Sequence, residues 1–361
     1  MEKELLEKSL SHADYRLFVV TVFLSVLFFG MDLKAASIIG GESGAYLRYP
    51  VGATGLAMGG AETALPQAAA PWWNPAVLVR DKSRQATAGV GIRSLGQTDA
   101  ALSLEFPVPP RLAMGFLLLY RGDPFLDQLY DENENPLEPA SYTTFTGKIT
   151  FSYMVTRKLS AGCNISVFYE RLPDGYTDGV IHYTSATSIG SLDFALSYRW
   201  SDKLHLAAVL RDAGATMNWS FSSYYGYSTP YDDRFTPVII LAGSYAGSLQ
   251  KKPFIWNLDL RGNLFDGKWN KLDHPQLTVN TGCEWRYWNT IALRAGLGDI
   301  ALNRYFSKDN EYYRNNFHFR FTGGIAYNLE RFRPGLKCNY GFSTDKIWAG
   351  IDQQLDITYT F

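Results

Sequence analysis

The last eleven residues of the chain constrain its fold more than any other segment. Ile351, Leu355, Ile357, Tyr359 and Phe361 alternate with Asp352, Gln354, Asp356, Thr358 and Thr360, and Gln353 alone breaks the apolar row. Successive side chains of a strand point to opposite faces, so this run has one apolar and one polar face. The pattern recurs upstream. Phe317, Phe319, Phe321, Ile325 and Tyr327 oppose His318, Arg320 and Thr322, and Leu277, Val279, Cys283 and Trp285 oppose Thr278, Asn280, Glu284 and Arg286. Cys163, Ile165, Val167 and Tyr169 oppose Asn164, Ser166 and Glu170, with Phe168 intruding on the polar row. The polar rows carry charges of both signs, which are costly against lipid and tolerated against a watery lumen. A soluble lipocalin-like barrel would turn its apolar rows inward and close with about eight strands.

Carried along the chain, the alternation predicts an all-β fold: a transmembrane antiparallel barrel of about fourteen strands, an even number as bacterial barrels require. The expected spans are 85–93, 98–106, 111–120, 142–156, 158–171, 186–200 and 203–212, then 236–247, 253–261, 274–287, 290–297, 316–328, 333–342 and 351–361. Tight turns at 107–110, 157, 201–202, 248–252, 288–289 and 329–332 alternate with long loops at 121–141, 172–185, 213–235, 262–273 and 298–315. Short periplasmic turns and long extracellular loops distinguish outer-membrane barrels, so the expected location is the outer membrane of a diderm bacterium.

Export needs a leader. The apolar run from Leu17 to about Gly30 follows Arg16 and precedes Ala35, Ala36 and Ser37, the layout of a secretory signal. It is shorter than the roughly 20 residues of a spanning helix. The acidic stretch before Arg16 is unusual for a signal, and a retained anchor is the alternative. The expected organisation is a signal peptide over 1–36, an N-terminal plug over 37–84 and the barrel over 85–361.

Residues 37–84 do not alternate. Gly52, Gly55, Gly59 and Gly60 permit tight turns and close backbone approach, and Asn74 before Pro75 favours a turn. Leu56, Met58, Leu65, Trp72, Trp73, Val77 and Leu78 need burial, which the lumen offers and a disordered periplasmic tail does not. The segment is therefore expected to fold into the barrel as a plug, or hatch.

Leu56-Ala57-Met58-Gly59-Gly60-Ala61, Thr63-Ala64-Leu65 and Trp73-Asn74-Pro75-Ala76 resemble the N-terminal signature of the PorV/PorQ-like proteins, relatives of the FadL-type transporters of long-chain fatty acids. Leu293-Arg294-Ala295-Gly296 and Thr322-Gly323-Gly324-Ile325 resemble that family's closing strands. The resemblance implies a fourteen-stranded barrel with an N-terminal hatch containing an Asn-Pro-Ala turn. The chain departs from it at Pro66-Gln67-Ala68-Ala69-Ala70, Val77 and Asn339-Tyr340-Gly341.

Enzymatic signatures are missing: no Gly-x-Ser-x-Gly, His-Glu-x-x-His or phosphate-binding glycine loop occurs, and five scattered histidines suggest no catalytic set. The expectation is a non-enzyme without cofactor or metal. Lysine plus arginine number 34 against 35 acidic residues, which gives no basic surface for nucleic acid. Three distant cysteines form no disulfide framework. Candidate site residues fall in three sets. Gly59, Gly60, Trp73, Asn74, Pro75 and Ala76 would form the hatch motif. Trp219, Phe221, Tyr224, Tyr225 and Tyr227, in a long aromatic loop, could capture a hydrophobic molecule or join the interfacial girdle. Glu284, Arg286, Arg294 and Arg320 would line the lumen, where mixed charges are expected to pair across strands. The leading expectation is passive transport of a hydrophobic compound such as a fatty acid, through a plugged barrel seated in outer-membrane lipid. The alternative, implied by the resemblance, is an interaction partner of the type IX secretion machinery. A general porin comes third, because a plug would block it.

Overall fold

In the computed structural model the described residues are 44–93, 96–123, 140–177, 180–220, 230–263, 277–287, 290–302, 319–344 and 350–361. The proposed signal peptide over 1–36 lies outside them.

Among the described residues sixteen strands form one antiparallel sheet. They are β1 (Gln85–Ile92), β2 (Thr98–Val108), β3 (Leu112–Asp123), β4 (Tyr142–Met154), β5 (Leu159–Thr177), β6 (Val180–Arg199), β7 (Leu204–Ala213), β8 (Thr216–Ser220), β9 (Pro230–Arg234), β10 (Val238–Leu249), β11 (Lys252–Asn263), β12 (Leu277–Trp285), β13 (Ile291–Ala301), β14 (Arg320–Asn328), β15 (Leu336–Thr344) and β16 (Ile351–Thr360). Fourteen of them close the ring. β7 pairs with β10, and β1 pairs with β16 from Gln85↔Thr360 to Ile92↔Gln353. Closure removes the free edges that an open sheet would expose.

Two connections differ from expectation. β5 and β6 run to Thr177 and from Val180, so most of the expected loop 172–185 is strand. The expected loop 213–235 contains the β8–β9 hairpin, which adds to the sheet through Ser185–Thr187 of β6. Backbone pairing joins each extension to the sheet. The hairpin does alternate, with Met217 and Trp219 between Thr216, Asn218 and Ser220, but over too few residues to stand out from a loop.

The alternation has the expected polarity. Along β16, Ile351, Leu355 and Ile357 are exposed, whereas Asp352, Gln354 and Asp356 are buried. Val90, Leu118, Phe145, Ile165, Leu293 and Phe321 continue the outward apolar belt around the ring. Lipid is the medium that makes such a surface stable. Tyr153, Trp200, Tyr245, Tyr287, Tyr327 and Phe361 stand exposed beside the tight turns, as an aromatic girdle at a membrane–water boundary. Phe168 proves to be no error of pattern. It faces inward, is buried, and packs on Phe235 with ring centroids 5.0 Å apart.

Candidate functional site in the lumen

The core of the molecule lies inside the barrel and is built largely by the segment before β1. This hatch begins in a 3-10 turn at Ala45–Arg48 and forms two short helices, α1 (Ala53–Ala57) and α2 (Ala70–Trp73). A second 3-10 turn, Pro75–Arg80, leads to β1. Gly44 lies against the Phe235 ring beside the β8–β9 hairpin, at the long-loop end. Arg80 reaches the tight-turn end, donating to the Lys158 carbonyl at 2.7 Å and the Ser197 carbonyl at 2.8 Å. The hatch therefore threads the lumen from one mouth to the other.

The expected motif residues hold this path together. Asn74 accepts from the Ala76 amide at 2.9 Å and donates to the Thr63 carbonyl at 2.8 Å, tying two passes of the hatch. Pro75 opens the following turn, where its missing N–H costs nothing. Trp73 donates its indole N–H to the Val51 carbonyl at 3.2 Å and lies so close to Gly55 that a Cβ there would sit 2.1 Å from its ring. Gly59 and Gly60 adopt φ of 68° and 83°, left-handed values that side-chain-bearing residues disfavour. That turn presses the Gly59 backbone onto the wall, where a Cβ would meet the Leu297 carbonyl oxygen at 2.5 Å.

The wall answers with glycines of its own. A Cβ on Gly341 would come 2.2 Å from the Ala53 oxygen, one on Gly282 2.4 Å from the Met58 oxygen, and one on Gly162 2.4 Å from the Pro75 carbonyl carbon. Polar wall residues then satisfy the irregular hatch backbone, whose groups need partners once buried. Arg121 donates to the carbonyls of Tyr46, Tyr49 and Pro50. Asn164 donates to Pro71 at 2.9 Å, Arg211 to Trp73 at 2.8 Å and Thr322 to Ala57 at 2.9 Å. In the other direction, the Ala53 amide donates to Asp356 at 2.7 Å and the Ala70 amide to Glu105 at 2.9 Å, while Thr63 bonds Asp259 through its hydroxyl at 2.6 Å.

Two different media flank the hatch. Toward the long loops, Tyr46, Trp72, Leu117, Phe168, Met217 and Phe235 form an apolar cluster of hatch, wall and hairpin residues. The Trp72 ring is also approached by Lys148 at 5.5 Å and by Arg121 and Arg211 at 5.7 Å. Cation–π attraction lets charged lumen groups coexist with aromatic ones. Toward the tight turns, a polar cavity of about 520 Å³ opens, lined among others by Gln67, Glu284, Arg286, Arg294, Lys337 and Asn339.

The four expected lumen charges separate accordingly. Glu284 pairs with Arg294 at 2.9 Å and Arg286 at 2.8 Å, and Arg294 also donates to Asn339 and to Gln67 of the hatch. Arg320 does not join them; it pairs with Asp299 at 2.8 Å and stands over the Tyr49 ring. Of the aromatic loop, Trp219 packs against the apolar cluster. Phe221, Tyr224, Tyr225 and Tyr227 lie outside the described residues.

Two buried residues escape a reading of the sequence alone. Arg121 falls where the alternation of β3 is expected to have ended. Glu62 sits inside the hatch motif, fully buried, with one oxygen accepting the Gln67 amide at 2.9 Å and the other without a partner. Burial is the main cause that raises its carboxyl from an ordinary 4.5 to about 8, with the Gln67 amide and Arg294 opposing the rise. Between these two values an unseated hatch ionises Glu62 while a seated one keeps it protonated. Seating is thus strongest below pH 4.5, weakens as pH rises through that window and levels off above about 8. Glu62→Gln should flatten this dependence and hold the hatch more firmly at neutral pH, by roughly 1–3 kcal/mol. Protease protection of the hatch across pH checks this; identical profiles for both forms would contradict it.

A closed barrel with a lipid-facing belt and a lumen filled by its own N-terminal segment is the build of a hatch-bearing outer-membrane barrel. Solved structures share it. The toluene transporter TodX of Pseudomonas putida superposes with a TM-score of 0.55 at 15% identity, over 86% of this chain and 97% of that one. The toluene transporter TbuX of Ralstonia pickettii gives 0.54 at 14% identity, over 86% and 97%. A FadL homologue of Pseudomonas aeruginosa gives 0.53 at 10% identity, over 87% and 98%. These likenesses show the fold, a FadL/TodX-like fourteen-stranded outer-membrane barrel. No protein-family model matches the sequence, and no curated protein matches it.

Proposed function

We propose that this protein is a passive outer-membrane channel for hydrophobic compounds, gated by residues 44–80. One observation carries the reading: the hatch packs into an aromatic, apolar cluster toward the long loops and borders a polar cavity toward the tight turns. A hydrophobic molecule would find apolar partners in the first and reach the second only when the hatch shifts. Trp219 and the loop aromatics Phe221, Tyr224, Tyr225 and Tyr227 would capture the molecule and lead it to the apolar cluster. Glu284, Arg286 and Arg294 would form the polar exit, with Arg320 holding the wall beside the hatch. The toluene transporters and the FadL homologue with the same fold support a hydrophobic cargo, and no energy input or catalysis is implied. Cells producing the protein should take up a labelled monoaromatic hydrocarbon or long-chain fatty acid faster than cells without it, with no gain for a small sugar. Equal uptake of every compound would refute the proposal.

A second reading places the chain among the PorV/PorQ-like barrels as an interaction partner of a type IX secretion system. It is favoured by the filled lumen and by the motif residues Leu56, Met58, Gly59, Trp73 and Asn74, all buried in the hatch. Crosslinking in intact outer membranes separates the two, since a stoichiometric translocon partner would support this reading over transport.

A further inference from the structure

All six tight turns between ring strands carry an exposed cation. Arg111 lies between β2 and β3, Arg157 between β4 and β5, Lys203 between β6 and β7, Lys251 between β10 and β11, Arg286 between β12 and β13, and Arg331 between β14 and β15. Asp202 and Glu330 are the only acidic residues in those turns. Among the described residues, Arg286 alone of the six forms an ion pair, with Glu284 at 2.8 Å. The long-loop side has the opposite bias, since the expected loop 121–141 holds six acidic residues against Arg121 alone.

Three further cations reach the lipid boundary itself. Arg333 donates from Nε to the Tyr359 hydroxyl at 3.2 Å and lies over that ring, 4.8 Å from its centroid. Tyr359 stacks on Phe361 with centroids 5.6 Å apart, and the Phe361 amide donates to the Arg84 carbonyl at 2.9 Å. Arg84 is exposed and continues backward the outward row of β1, formed by Ala88, Val90 and Ile92. Lys252 is exposed, pairs with Leu249, and heads the outward row of β11 that includes Trp256 and Leu258. Each of the three therefore ends a lipid-facing row with a cation at the level of the aromatic girdle, where headgroups lie.

We propose that this rim is a docking surface for anionic phospholipid headgroups of the leaflet around the tight turns. Unpaired cations of one sign repel one another, and anions gathered on them relieve that repulsion. Guanidinium and ammonium groups donate charge-assisted hydrogen bonds to phosphate oxygens, and basic side chains beside an anionic leaflet are drawn to it. Lipid encircles a barrel, and the cations occur in every one of the six turns. A folded acidic protein would meet only one side of the mouth. The surface is independent of what the barrel carries.

The full chain, reconstituted in phosphatidylcholine vesicles, can be probed with spin-labelled phosphatidylglycerol and spin-labelled phosphatidylcholine. The labelled phosphatidylglycerol should associate with the barrel about fivefold more strongly at low salt. That preference should fade as salt rises to about 1 M, where screening is short-ranged. Arg84→Gln, Lys252→Gln and Arg333→Gln together should remove most of it, whereas Arg84→Lys, Lys252→Arg and Arg333→Lys together should keep it. Equal association of both lipids with the unaltered protein, or a preference that salt does not weaken, would overturn the proposal whether or not the variants fold. A preference that survives intact in the folded glutamine variant would overturn it too. So would binding of soluble polyglutamate through the same three residues with no preference between the lipids.

Discussion

Deleting residues 44–80 should convert the protein from a sealed barrel into an open pore, raising the flux of a small polar dye by orders of magnitude. A ring of fourteen strands encloses a lumen wide enough for solutes once nothing fills it. The wall should still close, because β1–β16 pairing does not use the hatch. It should nevertheless lose stability. Deletion strips partners from Arg121, Arg211, Asp259 and Asp356, each buried and each bonded to hatch atoms. Leaving such groups unpaired costs about 1–3 kcal/mol apiece where water does not reach them. Dye efflux from liposomes, beside a gel assay for the folded barrel, separates an open pore from a failed fold. A folded deletion variant that stays impermeable would mean that the hatch is not the seal.

The second large effect should come from one bulky substitution in the wall. Gly341 faces the Ala53 carbonyl so closely that a Cβ would lie 2.2 Å from its oxygen. The obstruction is backbone, which cannot swing aside as a side chain would. Gly341→Leu should therefore unseat α1 and leak polar dye in the direction of the deletion, with an overpacking penalty at or above the usual figure of about 1–3 kcal/mol. Gly243→Ala is the matched control. It lies on the outer face of β10, and a Cβ there would meet only Leu206, at 3.9 Å. Dye efflux should rise for Gly341→Leu alone; equal behaviour of the two variants would refute the glycine seat.

Much of this architecture is legible in the chain because membranes write a strict code into strands. Lipid outside and polar groups inside force the alternation through Ile351–Phe361, and that alternation places twelve of the fourteen ring strands to within about four residues at each end, whereas β5 and β6 run six residues further into the expected loop between them. The need to bury Trp72, Trp73, Leu56 and Met58 likewise points into the lumen. The partners are not legible. Nothing local tells Gly341 from Gly243, since which glycine faces a carbonyl depends on the threading of a distant segment. Glu62 looks like any acidic residue until its surroundings are known. Arg121 reads as loop because β3 continues past its apolar row. Phe168 is the one available clue to the apolar cluster, an aromatic on a polar face, and its partner Phe235 is distant in sequence.

The central claim is that hatch movement gates passage, and a reversible tether tests it most directly. Thr63 of the hatch and Asp259 of β11 are hydrogen-bonded side chain to side chain at 2.6 Å, both buried. Thr63→Cys with Asp259→Cys, in a background without Cys163, Cys283 and Cys338, would join hatch to wall by a disulfide. Uptake of the hydrophobic compound should fall to background when the pair is oxidised and return when it is reduced. Full uptake through the crosslinked protein would contradict the account.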